Sequence, residues 1–271
     1  MLARISHNGT MNGVAARVAP SEAPAQADAC MTRPDKVLRL MSHAFVADCS
    51  GALFWPEERL LLVADLHFEK GSSYAARRVF LPPYDTSATL ARLAAVVATY
   101  APRRIVALGD SFHDSRGAAR LLPHDVQALR HLQSGREWVW IAGNHDPAAP
   151  ATLDGDHADD LTIGAITLCH EPSSTQGGGE IAGHLHPSAI VGGRGAAVRR
   201  RCFLADARRC VMPAFGTYAG GLNVLDTAFR PLFGDEAPHA HVLGRGAVYT
   251  VALRQCLADA SRAPALRAIL G

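Results

Sequence analysis

Lysine is almost missing from this sequence. Lys36 and Lys70 are the only two, arginine supplies the rest of the positive charge, and the formal net charge is only +2 over 271 residues. Without a strong basic excess, charge alone does not argue for a dedicated nucleic-acid binder. Arginine's planar fork suits phosphates and carboxylates alike, and a codon bias toward arginine explains the same count. No C-x-x-C pair joins the six cysteines, which are spread from Cys30 to Cys256. Reduced thiols in a cytoplasmic protein are expected. No run of about 18 apolar residues occurs, and the N-terminus lacks the compact basic, apolar and small-residue order of a secretory signal, so neither export nor a membrane span is expected.

What is present is core-forming material: 48% of residues are hydrophobic and 19% charged, enough to fold as a large α/β domain. Residues 1–36 mix Gly, Ala, Pro, Ser and Asn without period and are expected to be a disordered extension. Residues 37–271 are expected to form a single domain.

From Leu60 the chain alternates apolar runs with amphipathic stretches. Leu60-Leu61-Leu62-Val63-Ala64-Asp65, Arg104-Ile105-Val106-Ala107-Leu108-Gly109-Asp110 and Glu137-Trp138-Val139-Trp140-Ile141-Ala142 read as buried strands, each delivering polar residues at its carboxyl end. Helices are expected over about 86–100, where Leu90, Leu93, Ala94 and Val97 share a face, and over about 118–133. This βαβαβ order implies a mainly parallel sheet, in which ligands gather at the carboxyl ends of strands. The second half shows short strands near residues 165–170, 180–183, 201–204, 210–213 and 247–253 with few helices. The fold class expected is α/β: two mixed sheets packed as a sandwich and flanked by helices.

The chemistry-bearing residues sit at the strand ends. They are Asp65-x-His67, Gly109-Asp110, Gly143-Asn144-His145-Asp146, His170 and Gly183-His184-Leu185-His186. Each block alone is a weak signal, and a lone histidine is more often a satisfied core residue than a ligand. Their order at converging strand ends is far more specific. Two divalent cations need a bridging carboxylate, several imidazoles and terminal oxygen donors, and this set supplies that mixture. Asp146 has two readings, as a carboxylate orienting His145 or as a helix N-cap before Pro147. His113, Asp114, His124, His131 and His157 lie outside the set and are expected at the surface, with His113 and Asp114 near enough to touch substrate.

The ordered blocks D-x-H, G-D, G-N-H-D, H and G-H-x-H resemble the signature of the calcineurin-like metallophosphoesterase superfamily. The resemblance implies that one metal takes Asp65, His67, Asp110 and His186, and the other takes Asp110 as bridge, Asn144, His170 and His184. It also implies that His145 acts on the substrate while a metal-held hydroxide attacks phosphorus. Leu53-Phe54-Trp55-Pro56, Phe68-Glu69-Lys70-Gly71, Leu81-Pro82-Pro83-Tyr84 and the segment Met212–Gly221 are similar to the bacterial DNA-ligase-associated metallophosphoesterases. That closer resemblance implies a manganese-dependent phosphodiesterase or endonuclease in DNA repair, functionally associated with a DNA ligase and a helicase. Iron or zinc suits the same mixed N/O donors. Ser111-Phe112-His113-Asp114 lacks the residues that protein phosphatases carry after Gly-Asp, which counts against a phosphoprotein substrate. The alternatives are a small-nucleotide phosphodiesterase or phosphatase and a non-catalytic scaffold of the same fold. Arg77-Arg78, Arg103-Arg104, Arg199-Arg200-Arg201 and Arg208-Arg209 are candidates for phosphate contact, and Phe215 or Tyr218 for base stacking. Oligomeric state is left open, a homodimer included.

Overall fold

A computed structural model describes residues 37–148, 153–175, 177–192, 196–234 and 237–259. The expected extension, residues 1–36, lies outside the described residues. The first sheet contains β1 (Val37–Leu40), β2 (His43–Ala47), β3 (Leu53–Trp55), β4 (Leu60–Val63), β5 (Arg104–Leu108), β6 (Glu137–Ile141) and β7 (Asp156–Ala158), paired in that order. β1 to β4 form antiparallel hairpins, whereas β4, β5, β6 and β7 run parallel. Helices α1 (Lys70–Ala76), α2 (Asp85–Tyr100), α3 (Gly117–Arg120) and α4 (Pro123–Gln133) lie in the connections.

The second sheet is built on β8 (Asp160–Ile163), β9 (Ile166–Cys169), β10 (Gly179–Ala182), β11 (Pro187–Gly192), β12 (Ala197–Ala205), β13 (Arg209–Val211) and β14 (Leu222–Asn223). They pair in the order β14-β11-β12-β13-β10-β9-β8. β15 (His239–Leu243), β16 (Val248–Ala252) and β17 (Cys256–Leu257) extend it. Among the described residues no helix is long and apolar enough to cross a membrane.

The period-two geometry of strands sorts the apolar residues into layers. Leu60, Leu62, Val106, Leu108, Val139 and Ile141 face inward against Ile166, Leu168, Ile181 and Phe203 of the second sheet and Met212 just after β13. Their alternate neighbours Leu61, Val63, Ile105, Ala107, Trp138 and Trp140 face Leu90, Leu93, Val97, Leu129 and Leu132 of the helices. A strand buried on both faces reads as one continuous apolar run, which is why the parallel core stands out in sequence.

Two elements differ from expectation. The helix expected over 118–133 is two helices, because residues before a proline are driven out of the helical region. Leu121 and Leu122 are extended, with ψ 132° and 149°, and Pro123 starts α4. The strand expected through Asp65 stops at Val63, and Asp65 itself adopts a left-handed turn, φ 53°.

Leu62 is fully buried between the sheets. Leu62→Ala should cost about 2–5 kcal/mol of unfolding free energy, read in guanidinium titrations as a lower midpoint at unchanged slope.

Candidate metal centre

The carboxyl ends of β4, β5 and β6 supply Asp65 and His67, Asp110, and Asn144 and His145. His170 follows β9, and His184 and His186 follow β10. Six of the seven expected ligands form two groups of potential metal-holding side chains, Asp65, His67 and His186, and Asp110, His170 and His184, and the seventh, Asn144, lies against the second group. In the first, His186 Nε2 is 3.2 Å from Asp65 Oδ1 and 3.3 Å from His67 Nε2. In the second, His170 Nε2 is 3.4 Å from Asp110 Oδ1 and 2.9 Å from Asn144 Oδ1, and His184 Nδ1 is 3.1 Å from that same amide oxygen. Asp110 stands between the groups, because its Oδ2 lies 4.0 Å from His67 Nε2.

The backbone pays for this convergence in conformation. Asp65, His67, Asp110, His184 and His186 all have φ between 44° and 68°, a region that costs a non-glycine residue on the order of 1–3 kcal/mol. Hydrogen bonds between adjoining turns hold them there: His67 N–H donates to the Asp110 carbonyl (2.9 Å), and His184 N–H donates to the Asp65 carboxylate at 3.0 Å. Gly143 is required by contact instead of by φ. A Cβ there would stand 2.1 Å from Asp110 N and 2.4 Å from its Oδ1.

The donor set fits divalent cations. Asp65 and Asp110 are buried, their ion-pair partners are imidazoles, and buried carboxylates need a compensating cation. Burial and the neighbouring His186 push the His67 pKa down to about 3, so its imidazole is neutral and free to coordinate. Burial opposes a charge on His170, yet Asp110 and Asp65 hold its pKa up to about 9. That proton occupies a position that a cation would take. His170 Nδ1 lies 3.0 Å from the Leu108 carbonyl oxygen, a contact that directs Nε2 into the centre.

Around the candidate ligands, four expectations change. Asp146 does not orient His145: its Oδ2 accepts from Phe112 N–H at 2.9 Å, drawn beneath the turn that follows Asp110. It caps no helix either, since none begins at Pro147 among the described residues. Instead, His145 Nδ1 meets the His113 carbonyl oxygen at 2.9 Å. His113, expected at the surface, is half-buried within the centre's imidazole cluster. Its ring stacks on His145 (centroids 5.4 Å) and meets His67 edge-on at 5.6 Å. The signal for it was its position three residues past Asp110, because that turn pairs alongside the His67 turn. Phe215 is fully buried and cannot stack on a base. The exposed aromatics in this part of the chain are Phe80 (87%) and Tyr84 (70%), in the segment that carries exposed Arg77 and Arg78. Arg201 and Arg209 are spent on internal carbonyls and Glu180.

No protein-family model and no curated protein sequence matches the chain. Among solved structures it is similar to the Pseudomonas putida nuclease MPE, at 29% identity with a TM-score of 0.61, covering 79% of this chain and 98% of that one. A phosphoesterase from E. coli, Yfce, aligns over 71% of this chain and 98% of its own at 15% identity and a TM-score of 0.38, too distant to carry argument.

Divalent manganese at about one hundred times its dissociation constant should add about 2.7 kcal/mol to unfolding, seen as a raised melting temperature that a chelator reverses. Gly143→Ala, which drives a methyl group into Asp110, should abolish most of that rise.

Proposed function

We propose that this chain, which belongs to the metallophosphoesterase superfamily, hydrolyses phosphodiester bonds in nucleic acid, with DNA as its substrate. The observation that carries the reading is the pair of donor groups joined by Asp110, with the exposed His145 at their rim. Two divalent cations, when bound there, polarise the phosphoryl group and lower the pKa of water toward neutrality.

The chain's own residues do the rest. Asp110 Oδ1 accepts the His145 backbone N–H at 2.9 Å and so ties the proton donor to the bridging carboxylate. With Nδ1 held by the His113 carbonyl, His145 presents Nε2, 3.8 Å from Asp110 Oδ2, to the open side of the centre. From the imidazolium, Nε2 gives its proton to the leaving oxygen, a contribution of about 10²–10⁴-fold for general-acid catalysis. The His113 ring stacks on His145, with centroids 5.4 Å apart, and walls that side.

A strand of nucleic acid is favoured by the nuclease similarity and by the surface beside the centre. Tyr74 of α1 packs against His113 at 5.6 Å, and the chain that leaves α1 exposes Arg77, Arg78, Phe80 and Tyr84. Cationic and aromatic side chains together suit phosphates and unstacked bases. Manganese as native metal and association with a DNA ligase and a helicase belong to the same reading and rest on the resemblance of the flanking segments, and a cytoplasmic location rests on the scattered cysteines.

The test is incubation of manganese-loaded protein with single-stranded, nicked and duplex DNA beside cyclic nucleotides. Cleavage of DNA above the cyclic nucleotides supports the proposal, and turnover confined to small nucleotides overturns it. His145→Ala should lose about 10²–10⁴-fold in kcat while keeping its metal, whereas Asp110→Ala should lose both metal and turnover.

A further inference from the structure

Arg92 on α2 and Arg201 on β12 are half-buried, and neither forms an ion pair among the described residues. Burial lowers the pKa of each, and Arg201 beside it lowers that of Arg92 further, to about 10. Two mutually repelling cations without a carboxylate are costly to bury, so their partners matter. Those partners are three consecutive backbone carbonyls. Arg201 Nη1 donates to Ala214 O at 2.7 Å and lies within 3.5 Å of Phe215 O and 3.3 Å of Gly216 O. Arg92 Nη2 donates to Phe215 O, and its guanidinium carbon lies 4.5 Å from the centre of the Phe215 ring.

The opposite edges of the same peptide groups face the metal centre. The Ala214 carbonyl and the Phe215 amide form one rigid trans peptide, and the Phe215 carbonyl and the Gly216 amide form the next. Phe215 N–H donates to the Ala64 carbonyl at 2.7 Å, and Gly216 N–H donates to the Asp65 carbonyl at 3.0 Å. The segment presses so close that a Cβ on Gly216 would lie 2.4 Å from the Leu66 carbonyl oxygen. Each peptide is therefore gripped by a guanidinium on one edge and by the Asp65 turn on the other. A charged donor on the carbonyl also polarises the amide and strengthens the bond it gives.

We propose that Arg92 and Arg201 are positioning residues for the Asp65 side of the metal centre, holding the two peptides that lock Asp65 in its left-handed turn. The proposal rests on the two-metal reading above. Asp65 relaxed to φ below zero would swing its carboxylate away from His186 Nε2 and the His184 amide. His184 would lose that amide bond, but Asp110, Asn144 and His170 are held by contacts that do not involve Asp65, so three of the second group's four donors stay in place and it should weaken far less.

The experiment is calorimetric titration of manganese into metal-free protein, with melting temperature followed in parallel. Wild-type protein should take two ions per chain. Arg201→Met and Arg92→Met should each weaken one binding step by about 10–100-fold, the range expected when a group supporting a ligand is lost, and leave the other step within about threefold. In turnover they should lower kcat with little change in KM. Arg92→Lys and Arg201→Lys, which retain a cation on the carbonyls, should recover most of the lost affinity. They also carry the test if a methionine variant does not fold, because the same single step should then weaken by several-fold. Equal loss at both steps, or loss of melting temperature with both affinities unchanged, overturns the proposal and leaves an ordinary structural clamp. A wild-type protein that takes no metal sinks the two-metal reading itself, an outcome distinct from failure of the clamp.

Discussion

Two buried carboxylates, Asp65 and Asp110, surrounded by imidazoles at the end of a parallel sheet, set the terms for the rest of the structure. Carboxylates are buried at large cost unless cations compensate them, and among the described residues no lysine or arginine forms an ion pair with either. Protons on histidine offer partial compensation, as the raised pKa of His170 records. Divalent cations would compensate both groups at once and could also take the lone pairs of neutral His67 and of Asn144 Oδ1. The close approach at Gly143 and the short contacts among imidazoles follow from that demand.

The strain lies in the ligands themselves. Among the glycines preceding candidate ligands, Gly109 alone has positive φ, at 70°, while five of the candidate ligands occupy the left-handed region. A left-handed residue reverses the chain within one step, so a side chain at a strand end turns back across the sheet edge toward its neighbours. The conformations persist because adjoining turns exchange hydrogen bonds, Asp65 with Gly109 and Gly216, His67 with Asp110, and His184 with the Asp65 carboxylate. Conformational cost and metal affinity are thus two sides of one arrangement.

Legibility in the sequence tracked the strength of the physical pattern. Leu60–Val63, Arg104–Leu108 and Glu137–Ile141 stood out because strands covered on both faces are continuously apolar. The seven candidate ligand positions stood out because their blocks come in order at the ends of such runs, where side chains of neighbouring strands can converge. Short edge elements such as Asp156–Ala158, or the hairpins before Leu60, carry too few residues for a period to register. The role of Asp146 was illegible for another reason, since the partner it finds is a backbone amide of Phe112, invisible in any residue pattern. Phe215 misled because an aromatic in a glycine-rich segment looks exposed, yet it is fully buried within the Asp65 support. Arginine counts misled similarly: Arg92, Arg201 and Arg209 serve internal carbonyls, and the exposed basic surface beside the centre reduces to Arg77, Arg78 and their neighbours.

The donors also come from both layers of the sandwich. Asp65, His67, Asp110 and Asn144 leave the first sheet, while His170, His184 and His186 leave the second. Each donor group takes members from both: Asp65 and His67 with His186, and Asp110 with His170 and His184. An ion in either group therefore ties the sheets together at the edge where the apolar interface between them ends. Sliding one sheet by a single strand spacing, about 4.8 Å, would exceed any coordination distance and break both groups together. Apolar packing resists such a slide only diffusely, through many replaceable contacts, whereas ligand geometry resists it sharply. The hydrophobic interface brings the sheets into contact, and the charge buried at its margin selects the one alignment in which all seven donors meet.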